Sequence, residues 1–373
     1  MTARSDTPAK AGDYPAILFK PLKVGALELP NRVLMAPLTR DRSLIDGTPH
    51  EMAITYYRQR ASAGFIISEG TSTSPLAKGY IDVPGIYTYA HIAAWQAVTD
   101  AVHAAGGRIF CQLWHVGRVS HDSLLSEGEV PVAPSAIPGK ITTFGATGVV
   151  DCTPPRALGT DEIPLLIEEY RHATRCAMEA GFDGVEIHSA NGYLLDQFIH
   201  AHTNERDDAY GGNEENRARL TVEVSSAVAD VIGPDRVGVR LSPTGTFSDM
   251  RSDQEAAFAH VIDGLGALGL AFLHFVERFP GIDLTDEEET MIGRLRARWS
   301  GVYIANGDFD AARAAEAITS GHASAVAFGR PFIANPDLPE RFRRGAPLNE
   351  PDQASFYGGD HKGYIDYPFL SER

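Results

Sequence analysis

Cysteine is scarce in this chain: Cys111, Cys152 and Cys176 are the three among 373 residues, and no two form a CxxC pair. Zinc ribbons and cysteine-ligated iron–sulfur clusters are therefore not written here, no metal is expected, and a reducing cytoplasm fits best. Positive charge is also in deficit. Lys plus Arg number 33 against 49 Asp plus Glu, and the net charge of -16 opposes binding to nucleic-acid phosphates or anionic membranes. No apolar run approaches the roughly 20 residues that span a bilayer, and Met1 to Gly12 has no apolar signal core. The expectation is a cytoplasmic protein, monomer or homodimer, without nucleic-acid or membrane partners.

What the chain does contain is a rhythm. Residues 1–17 read as a flexible leader and 18–373 as one domain, opening with a hairpin from Leu18 to Asn31 around Gly25. Eight apolar runs follow, at Arg32 to Pro37, Phe65 to Gly70, Arg108 to His115, Gly184 to Ser189, Val237 to Pro243, Leu270 to Glu277, Gly301 to Gly307 and Ala325 to Pro331. Helical patterns separate them. Ser252 to Glu255 and Thr285 to Glu288 read as capping boxes, and Gly181 and Gly321 as helix stops. Near-continuously apolar strands alternating with helices predict an α/β fold, a single (β/α)8 TIM barrel. An open doubly wound sheet is the weaker alternative, since no GxGxxG follows the first strand. The stretch 117–160 is rich in Pro and Gly and is expected to cap the carboxyl face of the barrel.

In such a barrel, function is read from the strand ends. The fourth run breaks into His188, Asn191 and Tyr193, an imidazole, a carboxamide and a phenol within six residues. Runs seven and eight end in Gly307-Asp308 and Gly329-Arg330. Bare backbone N–H groups, a helix start and a guanidinium suit a phosphate dianion. Arg240 reads either as part of the site or as a buried ion-pair partner of Glu186 or Glu69.

Several motifs together resemble those of the old yellow enzyme family of FMN-dependent ene-reductases: Asn31 to Arg40, Ala77-Lys78-Gly79-Tyr80, Gln112 to Arg118, His188 to Phe198, and Phe328-Gly329-Arg330-Pro331. The resemblance covers nearly the whole chain. It implies non-covalent FMN, with Pro37, Thr39, Gly70, Gln112 and Arg240 around the ring and Gly307, Asp308, Gly329 and Arg330 at the phosphate. It further implies NADPH or NADH as reductant and an activated alkene, an α,β-unsaturated carbonyl or nitro compound, as substrate. His188 and Asn191 then match the carbonyl-binding pair, Tyr193 the proton donor, and Tyr80, Trp114 and Tyr357 the pocket walls. Many relatives carry a second histidine where this chain has Asn191, so pH dependence of carbonyl binding is expected to rest on His188. A flavin-free barrel lyase or aldolase acting on a phosphorylated substrate, or a non-catalytic FMN-binding protein, are the alternatives. No lysine stands at the eight strand ends, which weakens a Schiff-base lyase.

Overall fold

The computed structural model describes residues 15–279 and 281–370. Ala16–Phe19 is a 3-10 turn carrying fully buried Leu18. The last residues of the expected leader thus belong to the packed body, while residues 1–14 lie outside the described residues. Leu22–Val24 (β1) and Leu27–Leu29 (β2) form the expected antiparallel hairpin. Its turn needs Gly25. The residue has φ +51°, and a Cβ there would stand 1.9 Å from the Asp235 carbonyl oxygen, the same oxygen that accepts the Ala26 N–H at 3.0 Å. Val24 and Leu29 pack with Phe65, Phe110 and Phe272, so the hairpin plugs the amino end of the barrel.

The first three barrel strands are Val33–Met35 (β3), Ile66–Ser72 (β4) and Ile109–Trp114 (β5). Four short strands interrupt the repeat: Val132–Ala133 (β6), Thr142–Gly145 (β7), Gly148–Asp151 (β8) and Arg156–Ala157 (β9). Gly184–Ser189 (β10), Val237–Leu241 (β11), Phe272–Val276 (β12), Val302–Asn306 (β13) and Ala325–Phe328 (β14) complete it. All eight barrel strands pair in parallel, and β14 returns to β3 to close the ring. Helices such as Ile163–Glu179 and Glu214–Ile232 cover the outside. The unbroken apolar character of the runs follows from that enclosure, since every residue of β4, β5, β10, β11 and β12 is buried.

Local signals held where nothing distant competed. Thr285 and Glu288 form the expected capping box, and Gly181 and Gly321 leave their helices at φ +84° and +75°. The box expected at Ser252 is not formed. Helix Glu255–Leu268 starts after Gln254 without a side-chain cap, because the Gln254 carboxamide oxygen is occupied by Ala201 N–H and the Arg217 guanidinium, at 3.2 and 3.3 Å. The 117–160 segment contains a hairpin, β7 and β8, joined by a two-residue turn. Ile81 N–H donates to the Phe144 carbonyl at 2.8 Å, and the Thr143 hydroxyl donates to the Gly79 carbonyl. Phe144 is thereby held against the rings of Tyr80 and Tyr357, at 6.5 and 5.8 Å.

Candidate active site

The register of β10 decides what faces the barrel interior. Side chains alternate along a strand, so Glu186 and His188 point the same way. Glu186 pairs in register with Gln112 of β5, and His188 with Arg240 of β11, itself beside His274 of β12. Beyond the strand the chain turns sharply through Asn191 and Gly192, at φ +60° and +75°. Gly192 N–H donates to Asp196 at 2.8 Å, Asn191 N–H to the Ser242 hydroxyl at 2.7 Å, and the Gln197 amide to the Gly192 and Val116 carbonyls. These bonds fix the turn and deliver Tyr193 to the barrel mouth.

There Tyr193 meets an aromatic group. Its ring lies edge-on to Trp114 at 4.8 Å and to His188 at 5.1 Å. Its hydroxyl is 3.1 Å from that of Tyr80, which stacks on Trp114 at 5.5 Å. Gly70 makes room for the indole, since a Cβ there would stand 2.5 Å from the Trp114 ring. Burial pushes the Tyr193 phenol above its usual value, the hydrogen bond from Tyr80 opposing it in part. Burial first, then the charges of Arg240 and His274, hold His188 far below the usual imidazole range. Burial thus favours the neutral imidazole, against the expectation that His188 carries the pH dependence of carbonyl binding.

Polar atoms here are left without protein partners. His188 Nδ1, Asn191 Oδ1, Trp114 Nε1 and Arg240 Nε are all buried and unbonded. Such groups cost free energy unless something else satisfies them, so they point to a polar ligand. Arg240 makes no ion pair with Glu186 or Glu69, unlike one of the two readings of the sequence. Its Nη2 donates to Asn306 Oδ1 at 2.8 Å, and Glu69 is taken by Arg40 N–H and Tyr57.

The adjoining cleft of about 300 Å³ is lined by Pro37, Asn191, Arg240, Tyr357 and the Gly307-Asp308 and Gly329-Arg330 pairs. Gly307 has φ +139° and Asp308 φ +52°, turning the chain so that the cleft is faced by backbone. Gln112 is partly committed within the barrel. Its Nε2 donates to Glu186 Oε1 at 2.8 Å, while Glu186 Oε2 is 2.7 Å from His274 Nδ1. Only the remaining amide valences of Gln112 are open. Thr39 is half-buried and does not line the cleft. Glu186 and His274 were not singled out as site residues, although polar residues at inward positions of apolar strands are a signal for them. Among the described residues no His, Cys, Asp or Glu cluster could hold a metal, and no helix is long and apolar enough to cross a membrane.

A closed parallel barrel with a phosphate-type cradle beside an aromatic, proton-bearing turn defines a barrel oxidoreductase built around a bound cofactor. Residues 17–349 match the NADH:flavin oxidoreductase / NADH oxidase family, and the chain belongs to it, within the old yellow enzyme group. It is 43% identical over 359 residues to 12-oxophytodienoate reductase 2 of Arabidopsis thaliana, covering 95% of this chain and 96% of that protein. The structure of morphinone reductase is 50% identical, with TM-score 0.90 and coverage of 95% and 96%. That of the old yellow enzyme homologue from Zymomonas mobilis is 44% identical, with TM-score 0.91 and coverage of 95% and 99%. The chain is thus a flavin-dependent NAD(P)H oxidoreductase. The site fits FMN: the backbone-lined cleft with Arg330 suits its phosphate, and the unbonded Arg240 Nε and open Gln112 valences suit a polar ring edge.

Proposed function

We propose that the chain reduces the C=C bond of α,β-unsaturated carbonyl or nitro compounds in a ping-pong cycle, nicotinamide and alkene using the same face in turn. Bound FMN supplies the two-electron hydride chemistry. The protein's part is orientation and proton supply. The observation that carries this reading is the Tyr193 hydroxyl, held at the barrel mouth beside two neutral polar groups with no protein partner.

His188 and Asn191 would bind the substrate oxygen. The imidazole is neutral, and no protein group holds either end of the Asn191 amide, so both can turn an N–H toward a carbonyl or nitro oxygen. Drawing electrons to that oxygen makes the β-carbon a hydride acceptor and supports the enolate that follows. Tyr193 then donates its proton to the α-carbon. A phenol raised by burial stays protonated at neutral pH, yet is acid enough for a basic enolate. Tyr80 steadies the phenolate left behind. Arg240, Gln112, Gly307, Asp308, Gly329 and Arg330 would hold FMN, and Trp114, Tyr80 and Tyr357 would form the walls against the alkene.

Stopped-flow comparison of the two half-reactions tests this. Tyr193→Phe should slow alkene reduction by roughly 10²-fold or more while sparing flavin reduction by NADH or NADPH. Equal losses in both would contradict the donor role.

A further inference from the structure

Asp41 stands outside the machinery just described. Its backbone is left-handed, at φ +50°, its side chain is 4% exposed, and its Oδ1 is sealed from water with no hydrogen-bond partner. An arginine flanks it on each side, yet neither donates a hydrogen bond to it, and Arg40 Nη1 is itself buried without a partner. Arg40 donates to the carbonyls of Phe356, Ser355 and Gly363, and Arg42 to those of Arg40, Ser355, Asp360 and Lys362. Among the described residues no cation forms an ion pair with the Asp41 carboxyl.

The surrounding backbone fixes where this carboxyl sits. Ser43 N–H donates to the Asp82 carbonyl at 2.8 Å, and Gly358 N–H to the Arg40 carbonyl at 2.9 Å. Asp41 is therefore clamped between the loop that carries Tyr80 and the C-terminal segment that carries Tyr357. Tyr80, Tyr193 and Tyr357 all lie within its electrostatic reach. The other charged groups that face it are Glu69, Asp82, Arg40 and Arg42. Burial, reinforced by the negative charges of Glu69 and Asp82 and opposed by the two arginines, pushes the Asp41 carboxyl up to about 8.

We propose that Asp41 is a positioning residue for proton delivery: through its charge, this buried and unpaired carboxyl governs how readily Tyr193 yields its proton and whether an anionic ligand can lie against the three phenols. The proposal rests on the reading of Tyr193 as donor. In the step concerned, the Tyr193 O–H bond breaks, a C–H bond forms at the α-carbon with the enolate electron pair, and the phenolate is later reprotonated by solvent. With Asp41 neutral, that phenolate forms beside Tyr80 unopposed. With Asp41 ionised, a second negative charge faces it, proton transfer slows, and anionic acceptors are turned away in favour of neutral ones.

Asp41→Asn is the informative variant, because Asn tolerates the left-handed backbone and stays neutral at every pH. In the native holoenzyme the alkene half-reaction should slow roughly tenfold as pH rises through about 8, and the variant should show no such limb. Pentafluorophenol, ionised throughout this range, should bind roughly tenfold more weakly at about pH 9 than at about pH 7 in the native enzyme, and less than about twofold more weakly in the variant. An infrared carboxylic-acid band lost near pH ~8 in native protein and missing from Asp41→Asn would identify the group directly, without turnover. A native-like alkaline limb in the variant, or the lack of that band in native protein, overturns the role of Asp41. A Tyr193→Phe enzyme that reduces alkenes at the native rate overturns the donor assignment and the proton-delivery half of this proposal together.

Discussion

The hydroxyl of Tyr80 lies 3.1 Å from the hydroxyl of Tyr193, joining a residue of the loop after β4 to one of the turn after β10. A donor beside the phenol that loses its proton lowers the energy of the resulting anion. Tyr80→Phe should therefore slow the alkene half-reaction by roughly tenfold, less than Tyr193→Phe, and leave flavin reduction near its native rate. Stopped-flow absorbance at the flavin band measures both.

Beneath that pair, the carboxylate of Glu186 holds Gln112 and His274 at once, and all three are buried. Glu186→Ala would leave an amide and an imidazole N–H without acceptors inside the barrel. A loss of about 3–5 kcal/mol in unfolding free energy is expected, seen as a lower urea midpoint with an unchanged slope. Preserved stability would mean that water replaces the carboxylate there.

Arg240 lines the cleft and donates to Asn306 Oδ1. Its burial lowers its own pKa, against the pull of Glu186, but leaves it a cation. Arg240→Met should weaken FMN binding by roughly 10-fold to 100-fold and lower the two-electron potential by about 30–60 mV, since reduction adds negative charge to the ring. Fluorescence quenching and dye-equilibrated titration read the two effects separately. A potential that rises instead would contradict the placement of the ring beside Arg240.

The raised Asp41 carboxyl also makes stability depend on pH. Its folded value, about 8, lies above the unfolded value of about 4, so the folded state binds the extra proton between them. Stability contributed by this group is full below the unfolded value and is lost as pH climbs to about 8. Asp41→Asn removes that loss. The variant should be more stable than the native protein by about 4 kcal/mol near pH 7 and close to it near pH 4. Chemical denaturation at the two pH values decides.

The barrel was legible because its strands are buried on both sides. Enclosure leaves the apolar runs intact from Val33 to Phe328, and the hairpin was marked by alternation around Gly25. The grouping of His188, Asn191 and Tyr193 was legible because it is local, one strand end and its turn. What could not be read depends on distant partners. The link from Gln112 through Glu186 to His274 joins three strands far apart in sequence. The Ser252 capping box lost to contacts of Gln254 with Ala201 and Arg217. Asp41 was not singled out, because nothing local in Arg40-Asp41-Arg42 shows that both arginines reach away to the C-terminal segment.

The same contacts bear on how the protein is made. The edge of β3 is covered by β14, Val33 to Met35 lying against Val326 to Phe328, and Arg40 and Arg42 donate to carbonyls between Ser355 and Gly363. During synthesis the first barrel strand leaves the ribosome long before either partner exists. An open strand edge and two guanidinium groups without these acceptors must wait until β14 and the 355–363 segment are made, and the growing chain is exposed to wrong pairing until then. A ribosome stalled before β14 would carry a nascent chain in need of a chaperone, with neither a closed barrel nor the Tyr357 wall of its cleft.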